Sequence, residues 1–154
     1  MQGRFYFDTS VFGGVFDDEF KKESIQLFEQ VKRGRVVCLY SEVVLNELLG
    51  APDKVRLYVE SLPKEFMEKI ISIDAVKRLA ENYVLEKIVG SDGYEDCLHI
   101  ALATVYHADL LVSWNFKHIV NTRRIIGYNS INLKNGYHEI RICSPKEIKF
   151  PEVF

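Results

Sequence analysis

Three carboxylates and an amide stand where their side chains could meet. Asp8 ends the apolar run Phe5-Tyr6-Phe7 and is followed by Thr9-Ser10. Glu47 lies in a narrow polar stripe of the otherwise apolar segment Val43 to Leu49, Asp96 opens the segment GYEDCLHIALATVY, and Asn115 follows Leu110-Leu111-Val112-Ser113. Taken singly, most have ordinary explanations: an isolated Asp-Thr-Ser is a helix cap or a turn, and a Glu near the end of a helix faces solvent. Asp96 resists this, because apolar residues occupy nearly the whole circumference of its helix. A carboxylate beside a buried surface is costly unless it meets a donor, a cation or a metal. His99, at i+3 from Asp96, shares its side of the helix and reads as a satisfied core histidine. Asp8, Glu47 and Asp96 held together repel one another, and a divalent cation between them relieves that repulsion. Oxygen ligands without a Cys/His cluster favour Mg²⁺ or Mn²⁺ over Zn²⁺. Such an ion activates water and clamps phosphate oxygens, so the chemistry implied is hydrolytic cleavage of a phosphodiester.

The elements that would position these residues alternate between strand and helix. Arg4 to Phe7 reads as a first strand, delivering Asp8 to its C-terminal tip, with Ser10 as the N-cap of helical structure running to Lys32 and interrupted at Asp17-Asp18. Val36 to Leu39 is short and apolar, as a buried parallel strand should be. Ser41 caps a helix from Glu42 to Leu49 that stops at Gly50, with Pro52 beyond, and a further helix follows. Lys69 to Ile73 is the candidate third strand. Asp74 caps a helix from Ala75 to Val89, Gly90-Ser91-Asp92-Gly93 ends it, and Tyr94 to His107 forms another. Leu110 to Ser113 and Ile140 to Ile142 are the last two strands. This order predicts a three-layer α/β/α sandwich with a small, mainly parallel sheet, and in such sheets ligands gather at the strands' C-terminal ends.

Length and charge narrow the class. The 154 residues, 47% of them hydrophobic, suit one domain spanning 1–154 with one core. No stretch approaches the roughly 18 apolar residues that cross a bilayer, so the expectation is a cytoplasmic protein with no membrane partner. Cys38, Cys97 and Cys143 are odd in number and lie in apolar segments, which predicts buried, reduced thiols. Net charge is −2, but its distribution is uneven. Residues 1–114 carry 13 Lys/Arg against 19 Asp/Glu, and residues 115–154 carry 7 against 3. Lys117, Arg123, Arg124 and Lys134 are therefore candidates for a phosphate-binding face.

RFYFDTSVFGG, SEVVLNELLG, EDCLHIALATVYHADLLVSWNFKHI and NGYHEIRICSPKEI, in that order and spanning nearly the whole chain, resemble a PIN domain of the VapC toxin type. That resemblance implies a metal-dependent ribonuclease cutting RNA to leave a 5′-phosphate and a 3′-hydroxyl. Asp8, Glu47 and Asp96 match the family's first three acidic positions as catalytic and metal-binding residues. Asp8 and Asp96 would hold the main Mg²⁺ or Mn²⁺, and Glu47 would assist. The fourth position departs: Ser113-Trp114-Asn115 stands where most members place an acid, and an amide brings no charge to a second metal. Asn115 and His118 would orient a water or a phosphate, with Lys117, Arg123 and Arg124 meeting the substrate. Thr9 or Ser10 would bond a carboxylate or a metal water. The resemblance also implies a cognate antitoxin and a homodimer.

Asp109 is a possible replacement acid, although its place before a strand reads as a loop at the opposite edge of the sheet. Phe12 and Trp114 could stack on bases but suit the core better. The main rival reading is a PIN-like module that binds RNA or protein without cutting, favoured by Asn115. A haloacid-dehalogenase-type phosphatase needs a second Asp where Ser10 stands, and Phe12-Gly13-Gly14 does not make the phosphate loop of a dinucleotide-binding fold.

Overall fold

The computed structural model describes residues 2–90 and 93–150, so Ser91 and Asp92, read above as part of a turn, lie outside the described residues. Its strands are β1 (Gly3–Phe7), β2 (Val36–Ser41), β3 (Met67–Ile70), β4 (Leu110–Val112) and β5 (Ile142–Cys143). Its helices are α1 (Thr9–Gly14), α2 (Lys21–Lys32), α3 (Glu42–Leu48), α4 (Asp53–Ser61), α5 (Asp74–Leu85), α6 (Tyr94–Val105) and α7 (Thr122–Lys134). The strands form one parallel sheet in the order β3-β2-β1-β4-β5. Right-handed crossovers then carry α1–α4 over one face and α5–α7 over the other, giving the expected three layers. No helix among the described residues is long and apolar enough to cross a membrane.

The central strands are the most apolar because helices cover both of their faces. Tyr6, Phe7, Leu39, Leu111 and Val112 have no exposed surface. On one face Phe7, Phe12 and Phe28 form a triangle with centroids 5.2–6.1 Å apart, and Tyr58 meets Phe28 edge-on at 5.3 Å. On the other, Tyr83 and Tyr128 meet edge-on at 5.1 Å. Tyr83 donates to Asn132 Oδ1, and Asn132 Nδ2 donates to Thr104 Oγ1, so one buried amide ties α5, α6 and α7 together. Cys38, Cys97 and Cys143 are buried free thiols, as expected.

Several boundaries differ from the sequence reading. The third strand lies at Met67–Ile70 rather than Lys69 to Ile73, and the fifth at Ile142–Cys143 rather than Ile140 to Ile142. Both are edge strands, and only one residue of each is buried, so neither shows an apolar run. α5 ends at Leu85, and α6 ends at Val105. Ile73, not Asp74, precedes the first turn of α5, and Asp8, not Ser10, occupies the cap position of α1.

Phe28 has no exposed surface and touches three aromatic rings. Phe28→Ala is expected to lower the unfolding free energy by about 3–5 kcal/mol, measured by urea denaturation, because the surrounding rings cannot collapse into the space left. A loss under about 1 kcal/mol would contradict this packing.

Candidate active site

Asp8 follows directly on β1, between the ends of β2 and β4. Its backbone N–H continues the ladder to Val112 O at 3.2 Å, and its side chain is only 4% exposed. Two hydroxyls hold that carboxylate: Ser10 Oγ donates to Oδ1 at 2.6 Å and Ser113 Oγ donates to Oδ2 at 2.7 Å. Each hydroxyl also accepts a backbone N–H from the segment after β4, Ser10 from Trp114 at 2.9 Å and Ser113 from Asn115 at 2.9 Å. Burial raises the pKa of Asp8, the nearby His99 and the two serines pull against that, and Glu47 adds to it.

Glu47 and His99 form the second part of the site. α3 and α6 bring them together across 52 residues of sequence. His99 Nε2 lies 2.6 Å from Glu47 Oε1, which also accepts from Thr9 Oγ1 at 3.1 Å. Behind His99, its Nδ1 lies 2.7 Å from Tyr6 Oη, which lies 2.8 Å from Ser41 Oγ, and Ser41 Oγ accepts the Val44 N–H that it caps at 3.4 Å. With neutral His99, every proton in this chain points the same way: Val44 N–H to Ser41, Ser41 to Tyr6, Tyr6 to Nδ1, and Nε2–H to Glu47. Every buried polar group along it is then satisfied. Burial raises the pKa of Glu47, but the His99 hydrogen bond and charge and the Thr9 hydroxyl outweigh it and hold the group low. Burial lowers that of His99, but the hydrogen bond to Glu47 and the surrounding carboxylates raise it above the ordinary value.

Asp96 sits in the first turn of α6, half-buried. Burial raises its pKa, His99, His118 and Arg124 lower it, and Glu47 raises it further. Unlike Asp8 and Glu47, its carboxylate accepts no hydrogen bond from a side chain among the described residues. Asp8, Glu47 and Asp96 are thus close enough to feel common charges. No three acidic, His or Cys side chains among the described residues form a ready-made metal cage. Their chemistry nevertheless suits a hard cation: Asp96 is uncommitted and Asp8 keeps a lone pair on each oxygen. Mg²⁺ keeps several waters and needs only one or two carboxylates.

The remaining candidates divide. Asn115 Oδ1 accepts the His118 N–H at 3.0 Å, so the amide closes the turn after β4. Lys117, Arg123 and Arg124 line a cavity, whereas Lys134 stands about three turns further along α7 and pairs with Glu86 at 3.8 Å, outside any common phosphate face. Asp109 Oδ2 accepts the Arg4 N–H at 2.8 Å, at the start of β1, which is the loop role at the opposite edge. Phe12 is fully buried. Trp114 stacks on Phe20 at 4.3 Å and donates to Ser24 Oγ at 2.8 Å, so both rings belong to the core. Gly14 is required there: a Cβ on it would stand 2.6 Å from Ser24 Oγ and 2.8 Å from Trp114 Nε1.

No family model matches the chain, and no curated protein matches it by sequence. Solved structures do. A chain of the VapBC2 complex of Rickettsia felis, bound to a DNA fragment from its promoter, aligns with 92% of this chain and 98% of its own length, at TM-score 0.56 and 14% identity. A chain of DNA-bound VapBC from Salmonella typhimurium aligns with 94% of this chain and 99% of its own, at TM-score 0.58 and 16% identity. The fold is a PIN fold. At such identities the likeness carries architecture alone, so the chemistry of this PIN fold rests on its own residues. Sequence reasoning missed Tyr6 and Ser113 as parts of the site, and it gave Ser41 only its capping role. The signal for Ser113 was a hydroxyl at a strand tip beside Asp8. The signal for Tyr6 was a phenol in a strand apolar enough to demand a buried partner for its hydroxyl.

Tyr6→Phe keeps the ring but leaves His99 Nδ1 and the Ser41 hydroxyl proton without a partner, and is expected to cost about 1–3 kcal/mol in denaturant unfolding. Asp96→Asn is expected to act oppositely. A carboxyl whose folded pKa is raised loses stability as pH rises through that pKa, so removing its charge should leave the melting temperature in EDTA at neutral pH unchanged or higher. A lower melting temperature would show that Asp96 has a stabilising partner.

Proposed function

We propose that the chain is a Mg²⁺- or Mn²⁺-dependent endoribonuclease that hydrolyses RNA phosphodiester bonds, acting as the toxin of a type II toxin–antitoxin pair with a cognate antitoxin and as a homodimer. The observation that supports this most is the buried Asp8 carboxylate, clamped by two hydroxyls at the tip of the central strand, with Glu47 and Asp96 sharing the influence of His99. The occurrence of the same fold in VapBC assemblies supports the pairing with an antitoxin.

Asp8 and Asp96 would hold the ion, with Glu47 contributing directly or through water. A bound Mg²⁺ or Mn²⁺ supplies Lewis acidity toward the phosphate and a water of lowered pKa. The chain's residues then do the positioning. Ser10 and Ser113 fix both oxygens of Asp8, so its orientation is set before any ligand arrives. His99 and Thr9 occupy Oε1 of Glu47, leaving Oε2 as the atom that takes the proton of the attacking water. Attack in line with the leaving 3′-oxygen gives a 5′-phosphate and a 3′-hydroxyl. One observation favours a second reading, a PIN-like module that binds without cutting: the oxygen of Asn115 is committed to a backbone N–H.

End-labelled, mixed-sequence single-stranded RNA incubated with Mn²⁺, Mg²⁺ or EDTA distinguishes the two. Cleavage is expected only with metal, and Asp8→Asn is expected to reduce it at least about 100-fold. Absence of cleavage, together with absence of Mn²⁺ binding by calorimetry, would establish the binding module instead.

A further inference from the structure

A cavity of about 510 Å³ opens beside the carboxylates, lined by Lys87, Ile88, Lys117, Asn121, Arg123 and Arg124. Four of its six lining residues are cations and none is acidic. Among the described residues, none of those four cations is in an ion pair. In a chain of net charge −2, that concentration needs an explanation.

Three features of the cavity are each unfavourable by themselves. First, Arg123 and Arg124 stand in the first turn of α7, at the positive end of a 13-residue helix that has no acidic residue there; cations are disfavoured at that end. The Asn121 side chain caps the Arg124 N–H at 3.2 Å, while the N–H groups of Thr122 and Arg123 have no partner among the described backbone and side-chain groups. Second, Arg124 Nη1 is shut off from solvent near Tyr128 Oη without a well-formed hydrogen bond, and a buried donor so poorly met carries much of its desolvation cost. Third, α5 ends in a Schellman turn, with Lys87 N–H on Val84 O at 3.0 Å and Ile88 N–H on Tyr83 O at 3.1 Å. The residue at its left-handed position, φ +60°, is Lys87, where glycine is the unstrained choice. One anion in the cavity would relieve the first two and give a reason for the lysine in the third.

Lys117 lies in the turn closed by Asn115, directly after the Ser113 that holds Asp8, and Arg124 and His118 act on the charge of Asp96, so the cavity borders the carboxylate site. We infer that this cavity is a phosphate subsite that holds a backbone phosphate of single-stranded RNA flanking the bond to be cut, with Lys87, Lys117, Arg123, Arg124 and the open end of α7 as its donors. The inference rests on the nuclease reading for its placement, because a strand crossing the carboxylates brings its neighbouring phosphates past this cavity. It explains how a site that repels anions retains a polyanion: the carboxylates exclude it unless charge is supplied alongside.

The test is binding of a fluorescein-labelled, mixed-sequence RNA oligonucleotide in EDTA over a series of salt concentrations, for the wild type, Lys87→Gly and Arg123→Ala, with melting temperatures of all three. Both positions are exposed, so both variants should fold. Each variant is expected to bind RNA roughly tenfold more weakly, with a salt slope shallower by about 0.7, one phosphate contact on a single strand. Lys87→Gly is also expected to melt higher than the wild type, since glycine removes the backbone strain. A lysine with a purely structural role would not combine greater stability with weaker binding. Unchanged affinity and slope in both variants would overturn the subsite while leaving the nuclease reading intact. So would polyglutamate competing as well as RNA, because the cavity would then be an acceptor for acidic peptide. Weakened binding in the variants, with no metal-dependent cleavage by the wild type, would leave an RNA subsite on a non-cutting module. A wild type that binds no RNA in EDTA would overturn the subsite, and the metal-dependent cleavage assay would still decide the nuclease reading.

Discussion

The carboxylate of Asp8 is buried at the tip of the central strand of a parallel sheet, where an unpartnered charge would be prohibitive. The solution is two hydroxyls, and each has a second task. Ser10 and Ser113 donate to Asp8 while accepting the N–H groups of Trp114 and Asn115, so the same four hydrogen bonds that make the charge tolerable also fix the path of the chain leaving β4. That path sets the turn closed by Asn115, and through it the start of α7 with its arginines. Trp114, locked between Phe20, Ser24 and the close approach of Gly14, holds the other side. The core and the site are thus joined at one buried charge.

Glu47 is stabilised differently. It is half-exposed, its pairing with His99 is supported from behind by Tyr6 and Ser41, and Thr9 reaches it from the residue next to Asp8. Asp96, which lacks such support, is where a ligand has most to offer. The site therefore grades from a fully determined carboxylate through a paired one to an open one.

Much of this was legible in the sequence where a local pattern carried it. The aromatic run ending in Asp8, the Ser41 cap and the apolar circumference around Asp96 each put a residue on its element correctly. What escaped depended on contacts distant in sequence. The partner of Glu47 lies on another helix, and periodicity says nothing about it. Ser10 followed the rule for a cap, but the helix begins two residues earlier and frees its hydroxyl for Asp8. Asn115 looked like a weakened ligand, whereas its oxygen serves the backbone. Edge strands β3 and β5 were misplaced because a strand covered on few sides needs no apolar run to announce it.

The hydrogen-bonded run from Val44 through Ser41, Tyr6 and His99 to Glu47 has an evolutionary reading. Its three inner members, Ser41, Tyr6 and His99, can each donate and accept, so none of them can turn apolar alone without orphaning its neighbours on both sides. Replacing the phenol by phenylalanine is harmless only in a chain that has also given up the imidazole, and Glu47 then needs a new donor. Positions 6, 41 and 99 should drift as a set: relatives of this chain should carry all three polar groups or a dry substitute for all three, with mixtures rare.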